Sequence, residues 1–336
     1  MAKASVREIS RITGFSPATV SNALNRKRSV SEGTAKIIRE AAQSLGYQQS
    51  AQLESINFVL ARKNGKIVDE STFHPAVIEG VERQARRHDM GTTFVSIDFA
   101  DLDAARPQVD ALITNPSNAI ILLGTELGEE DYALFKDAAA HLIVLDGCSE
   151  RYDFDSVLMA NEDSTIRAVN YLIERGHEKI GCLAGGFRIY NFRARERGYA
   201  NALQEAGLAV RPEWRVELGT TLETAYEDMS AWLDRPDCPE LPTAFFADND
   251  VLAVGALRAL REHGIAAPDD VSIIGFDDLS VGAFSNPPLT TVHVLKHEVG
   301  EIAVRRLLGG FENPREFTCK TQLSTYFVER QSVRTV

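Results

Sequence analysis

The chain has no run of eighteen apolar residues, so no stretch is long enough to cross a bilayer as a helix. Its four cysteines, Cys148, Cys182, Cys238 and Cys319, form no C-x-x-C pair and have no histidine cluster beside them. That argues against a zinc site and a disulfide framework. The seven histidines show no metal spacing, and H-E-x-x-H, G-x-S-x-G, G-x-G-x-x-G and G-x-x-x-x-G-K-[ST] are all missing. The run "CLAGG" follows a strand-like segment but fits neither phosphate-binding pattern. The sequence therefore points away from an enzyme and calls for no cofactor and no metal. The polar start "MAKASVREIS" lacks a charged region leading into an apolar one, so a cytoplasmic protein without membrane partners is expected.

What is present is 336 residues, 44% of them hydrophobic, which exceeds what one core serves and predicts two or three folded units. The net charge of −12 is unevenly spread. Residues 1 to 50 hold eight Lys and Arg against three Glu, whereas the rest holds 28 basic against 45 acidic residues. A basic head on an acidic body suits a polyanion partner for the head alone.

In that head, Val6, Ile9 and Ile12 recur at helical spacing and Gly14 breaks the pattern, predicting a helix over 5–13. Ser16 is a good N-cap and Pro17 suits the first helical position. On a wheel, the helix 17–25 carries Val20, Ala23 and Leu24 on one side and Ala18, Asn22 and Asn25 on the other, with Thr19 and Ser21 on the flanks. A third helix is capped by Ser31, carries Ala35, Ile38, Ala42 and Leu45 on one face, and stops at Gly46.

The expected result is a helix-turn-helix whose second helix presents small polar side chains to a major groove. Asn22 can bond a base edge bidentately, Thr19 and Ser21 can bond phosphate oxygens, and Arg26, Lys27 and Arg28 supply counterion-releasing charge. The same features would also serve a small helical domain that binds protein.

The string "VREISRITGFSPATVSNALNRKRSVSEGTAKIIREAAQSLGY" resembles the headpiece of the lactose-repressor (LacI/GalR) family of bacterial transcription regulators over residues 6–47. The cues are "G-F-S-x-x-T-V-S-x-x-L-N", "V-S-x-x-T" and "A-x-x-L-G-Y". The resemblance implies double-stranded operator DNA as partner, with Pro17, Ala18 and Asn22 at base-reading positions. It places Thr19, Ser21 and Asn25 at backbone-contacting or packing positions, and Ser16 and Arg28 complete the DNA-binding candidates on this segment. Family members continue with a helix of the form P-N-x-x-A-x-x-L that inserts a leucine into the minor groove. This chain reads "YQQSAQLESINFVLA" instead, so Leu53 is the one candidate wedge, and a plain linker over 48–55 is the alternative.

From Ile56 onward, apolar runs such as "INFVLA" (56–61), "AIILL" (119–123), "KIGCLAG" (179–185) and "VSIIGFDD" (271–278) alternate with amphipathic stretches such as 75–88 and 163–176. That alternation predicts parallel sheets covered by helices, and the length predicts two lobes with a ligand cleft between them.

The stretches "YLIERGHEKIGCLAG", "RARERGYANALQEAGL", "FFADNDVLAVGALRAL" and "VSIIGFDDLSVGAF" extend the resemblance over the family's effector-binding body, which is similar to periplasmic sugar-binding proteins. The implied fold class is an all-α helix-turn-helix headpiece (1–47) and a periplasmic-binding-protein-like α/β body (56–336) of two parallel-sheet lobes. Lobe 1 would comprise about 56–158 and 290–318, and lobe 2 about 159–289 and 319–336.

The resemblance implies effector contacts at Asp146, Arg195, Asn249 and Asp277, whose planar groups pair with adjacent ligand atoms. Each also has a plain structural use, as a helix cap or ion pair, and Asp248 or Asp250 is expected to be a cap. Phe73 and His74, just before a helix, and Tyr190 and Phe192, in the loop after Gly186, are candidates to stack on a ligand.

The expected function is a ligand-responsive repressor of carbohydrate-utilisation genes, acting as a homodimer, with a sugar or sugar derivative as effector. A regulator answering a nucleobase, a nucleoside or a protein corepressor is the alternative within this fold. A sugar-binding or sugar-modifying protein is the competitor from another class.

Overall fold

The computed structural model describes residues 5–24, 30–45, 53, 55–70, 72–312 and 317–336. The chain divides into two compact units, residues 1–52 and 53–336.

The first unit contains α1 (Val6–Thr13), α2 (Pro17–Leu24) and α3 (Glu32–Ser44). Each starts where a hydroxyl meets a free backbone N–H: Ser5 accepts from Glu8, Ser16 from Thr19 at 3.1 Å, and Ser31 from Thr34 at 3.3 Å. Gly14 ends α1 with φ 74°, a left-handed cap that suits a residue without Cβ. Ile9, Val20, Ala23, Leu24, Ile38 and Ala42 form the buried core. Ile12, expected on the packed side of α1, is instead 52% exposed. Six residues at about 100° each leave it about 120° round from Val6, off the packed stripe.

The second unit holds two parallel sheets. The first has six strands in the order β11-β5-β4-β3-β1-β2. These are β1 (Ser55–Arg62), β2 (Gly91–Asp98), β3 (Ala119–Leu123), β4 (His141–Leu145), β5 (Asp155–Met159) and β11 (Lys320–Leu323). The second sheet, ordered β7-β6-β8-β9, comprises β6 (Ile180–Gly185), β7 (Arg215–Leu218), β8 (Ala244–Ala247) and β9 (Ser272–Ile274). A separate antiparallel pair joins β10 (Thr291–His293) to β12 (Tyr326–Val328). Every residue of β3 and β6 is buried, as expected of central parallel strands covered on both faces.

Beside the first sheet lie α4 (Ile67–Glu70), α5 (Phe73–Arg86), α6 (Leu102–Ile113), α7 (Glu129–Tyr132) and α13 (Lys296–Glu312). With the second lie α8 (Asn161–Glu174), α9 (Tyr190–Glu205), α10 (Leu222–Leu233), α11 (Asp250–Glu262) and α12 (Ser280–Ala283). Helices α5 and α13 approach through facing glycines: a Cβ on Gly80 would stand 2.1 Å from the His297 carbonyl, and one on Gly300 2.3 Å from that of Val77.

The lobe borders differ from the expected ones. β11 pairs in parallel with β5, so the first lobe runs on through Leu323 rather than stopping at 318. Asp277 bridges His293, so β10 goes with the second lobe and the crossing expected near 290 falls between His293 and Lys296. The short polar run "KTQL" carries too little apolar pattern to be recognised as a strand.

Candidate functional site

The helix α2 displays what the sequence placed on its outer side. Ser16, Pro17 and Ala18 are exposed and Thr19, Ser21 and Asn22 half-buried, while Val20, Ala23 and Leu24 face the core. The Ser16 hydroxyl also meets that of Thr19 at 2.8 Å, so both are held at the cap. Asn25, Arg26, Lys27 and Arg28 lie outside the described residues, as does the linker apart from Leu53 and Ser55. Leu53 packs against the hydrophobic core of the second unit.

Both parallel sheets end their strands at one cleft, and seven of the eight ligand candidates line it: Phe73, His74, Asp146, Phe192, Arg195, Asn249 and Asp277. Phe73 and His74 stand in the first turn of α5 and Phe192 in that of α9, rather than in loops before them. Tyr190, the first residue of α9, is not among the lining residues, and its phenol is raised by burial and bonds Cys148. Thr125, Asn191, Ile67, Ile189 and Met159 also line the cleft and were not foreseen. The cavity measures about 20 Å³, room for about one water molecule.

Backbone geometry singles out the two lining carboxylates. Asp146 has φ 54° and Asp277 has φ 102°, left-handed values that L residues rarely take, and Asp278 follows at 49°. Such outliers persist only where the surroundings over-determine them, and they cluster at binding sites.

The polar groups form one connected row. Arg195, whose guanidinium carbon lies 3.7 Å above the Phe276 ring, donates from Nη2 to Asp277 Oδ1 at 3.0 Å and from Nε to Asn161 Oδ1 at 2.9 Å. Its Nη1 reaches the Asp248 carbonyl. Asn161 donates its amide to Asn191 Oδ1 at 2.9 Å, and Asn191 donates to Asp146 Oδ1 at 2.9 Å. Thr125 donates to Asp146 Oδ2 at 2.6 Å, and His74 Nε2 stands 3.2 Å from Thr125 Oγ1. The row thus runs from the second lobe to the first, and Asn161, at the first crossing between lobes, ties Arg195 to Asn191. Burial pushes the Asp277 carboxyl above its ordinary value, against the pull of the Arg195 guanidinium.

The caps differ from expectation. Asn249, not Asp248 or Asp250, caps α11, accepting from the Leu252 N–H at 3.0 Å. Asp248 takes the Gly185 N–H and Arg188 instead, and Asp250 takes the Leu279 N–H and Thr291. A triad of D, N and D before an apolar helix offers three caps to pattern reading; tertiary partners for the two Asp leave the Asn.

At the rim, Glu70 Oε1 accepts from the Leu222 N–H at 2.8 Å, and the Thr220 hydroxyl reaches the Gly65 carbonyl. Gly65 matters here because a Cβ would stand 2.4 Å from the Phe187 ring. Among the described residues no group of three His, Cys, Asp or Glu could hold a metal ion, and no helix is long and apolar enough to cross a membrane.

Comparison with known proteins matches residues 5–50 to "Bacterial regulatory proteins, lacI family" and residues 169–333 to a "Periplasmic binding protein-like domain". Similar relatives include the "HTH-type transcriptional repressor PurR" of Glaesserella parasuis, 31% identical with 98% of each chain covered. That of Pasteurella multocida is 30% identical, covering 98% of this chain and 99% of its own. Among solved structures, a "transcriptional regulator CelR-cellobiose complex" has a TM-score of 0.74 at 23% identity, covering 98% of this chain and 100% of that one. A lac repressor dimer bound to operator and the anti-inducer ONPF has a TM-score of 0.72 at 22% identity, covering 99% and 100%. At these identities the two structures show a shared fold.

Proposed function

Because the chain belongs to the lacI family of bacterial regulatory proteins, we propose that it is a repressor whose inter-lobe cleft takes a purine nucleobase and whose headpiece reads operator DNA. The observation that carries the ligand class is the cleft itself. Arg195, joined to Asp277 and flanked by Asp146, Asn191 and Asn249, shares it with the phenyl rings of Phe73 and Phe192. Planar amide, carboxylate and guanidinium groups meet the edge of a heterocycle in paired bonds, and phenyl rings meet its faces. The bonds above engage three of the five Arg195 N–H groups, which leaves two for a ligand.

The relatives that align end to end carry the name PurR, which favours the nucleobase over the carbohydrate that the body's resemblance first brought forward. The cellobiose complex keeps a carbohydrate as the second reading, on likeness of fold. No catalysis is proposed for either.

In the headpiece, Pro17, Ala18 and Asn22 read bases, and Ser16, Thr19, Ser21, Asn25 and Arg28 hold the DNA backbone. Two chains present two such helices to two half-sites, since one short helix offers too few contacts for specificity. A cavity of about 20 Å³ admits a base only as the lobes part, and the three crossings between lobes allow that hinge movement. A ligand that prefers one lobe arrangement is thereby linked to operator affinity.

A thermal-shift series with guanine, hypoxanthine, adenine, glucose and cellobiose tests the ligand class, because a compound that binds only the native state raises its stability. A shift with at least one base, and none with the sugars, is expected. A shift with sugar alone overturns the reading.

A further inference from the structure

We infer that His74 is a specificity-determining residue: its Nδ1 is a fixed hydrogen-bond acceptor that selects ligands offering an N–H or O–H donor. This deepens the nucleobase reading and rests on it.

The argument follows the protons along the row. Arginine has donors only, so Asn161 turns its carbonyl to Arg195 and its amide to Asn191. Asn191 must then accept on Oδ1 and give its own amide to Asp146. Asp146, a carboxylate, accepts from both sides, so the single Thr125 proton goes to it at 2.6 Å. Thr125 Oγ1 has no proton left for His74 and can only accept, which places the His74 proton on Nε2 at 3.2 Å. A neutral imidazole with its proton on Nε2 carries a lone pair on Nδ1.

That Nδ1 atom is buried and has no hydrogen-bond partner among the described residues, in a side chain 3% exposed that lines the cleft. The ring is held from rotating away by the Thr125 bond on one side and by edge contact with Phe73 at 5.0 Å on the other. A buried acceptor without a donor is costly, whereas a ligand N–H that reaches it removes that cost. Guanine and hypoxanthine carry an N1–H donor beside the O6 acceptor, whereas adenine has an acceptor nitrogen at N1 beside an amino donor, so the pair formed by the His74 acceptor and the Arg195 N–H groups distinguishes the first two from adenine at that edge. The polarity of the row is set by its charged members, Arg195 and Asp146, so the tautomer does not depend on the ligand.

The test uses the full-length protein and isothermal titration with guanine and hypoxanthine. His74→Gln keeps a polar group near the Nε2 position, while His74→Asn keeps an acceptor near Nδ1. The expected result is an affinity loss of about 10- to 100-fold in His74→Gln and a loss of only a few-fold in His74→Asn. Operator binding and melting temperature serve as the check that both variants fold. Equal affinity of His74→Gln and the unaltered chain overturns the inference. So does a larger loss in His74→Asn than in His74→Gln.

Nitrogen-15 spectra of histidine-labelled protein read the tautomer directly. A pyridine-type Nδ1 and a pyrrole-type Nε2 are expected for His74, and a protonated Nδ1 overturns the inference whatever the ligand proves to be. If the unaltered chain binds neither base, the nucleobase reading falls, while the spectra still decide the tautomer.

Discussion

The headpiece and the cleft are both recognition surfaces, built in opposite ways. In the headpiece, eight consecutive residues of α2 hold every described base-reading candidate, and none of those candidates is fully buried. In the cleft, the lining residues run from Ile67 to Asp277, and the charged ones are buried and hydrogen-bonded within the protein, Arg195 to Asp277 and Asp146 to Asn191 and Thr125. An exposed surface reads by contacts that act almost independently. A buried one reads as a unit, because removing one member strands its partners. The two should also answer to different conditions: the headpiece to salt, through phosphate contacts, and the body to pH, through buried carboxyls.

Arg195→Ala should give the largest effect. It leaves Asp277 buried without its cation and opens the row at Asn161, so a stability loss of about 3–5 kcal/mol is expected together with loss of ligand response. Chemical denaturation and ligand titration of the full chain measure both. A normal ligand response in this variant would place the effector away from the cleft.

Next in size is the pH dependence set by Asp250, which is fully buried at the start of α11 between the Leu279 N–H and Thr291, with Asp277 and Asp278 nearby and Lys296 opposing them. Burial pushes its carboxyl from 3.8 up to about 8. Between those values the folded chain holds a proton that the unfolded chain has released, so this group's contribution to stability falls as pH rises through the window. Asp250→Asn should flatten that slope and raise stability near neutral pH, on the order of a few kcal/mol. An unchanged slope in denaturation curves from pH 5 to 8 would mean that Asp250 is ionised in the folded chain.

The same contrast explains what could be read in the residues beforehand. Caps, the glycine turn and the apolar side of α2 are local chemistry, so Ser16, Gly14, Val20, Ala23 and Leu24 all stand where their spacing put them. The strand-to-helix alternation likewise announced both parallel sheets, and the family resemblance led to Asp146 and Asn249, which stand just after β4 and β8. Thr125, Asn161 and Asn191 escaped because nothing in their own neighbourhoods marks them. Their use is created by partners 21, 34 and 45 positions away. Tyr190 failed for a related reason: one helix position separates it from Asn191, and that is enough to turn it from the cleft towards Cys148. The short edge strand β11 has too few apolar residues to signal a strand, which is why the lobe border near 318 moved.

In the headpiece, effects should be smaller and confined to one contact. Asn22→Ala removes the strongest hydrogen-bonding group on the outer side of α2, so discrimination at one operator base pair should fall by about 1–3 kcal/mol with little change in salt slope. Fluorescence anisotropy with operator variants at several salt concentrations measures this. An equal loss on unrelated DNA would reassign Asn22 to the DNA backbone.

Ser16→Ala should be the mildest change. It takes the acceptor from the Thr19 N–H at 3.1 Å and frees the Thr19 hydroxyl from its 2.8 Å partner, costing about 1 kcal/mol of helix stability. Because the cap orders α2 without naming a base, affinity should drop by a similar factor on every operator variant, and the Asn22-dependent preference should persist. If Ser16→Ala instead alters which base is preferred, the cap serine contributes to readout, and the separation between a structural N-terminus and a reading face on α2 breaks down.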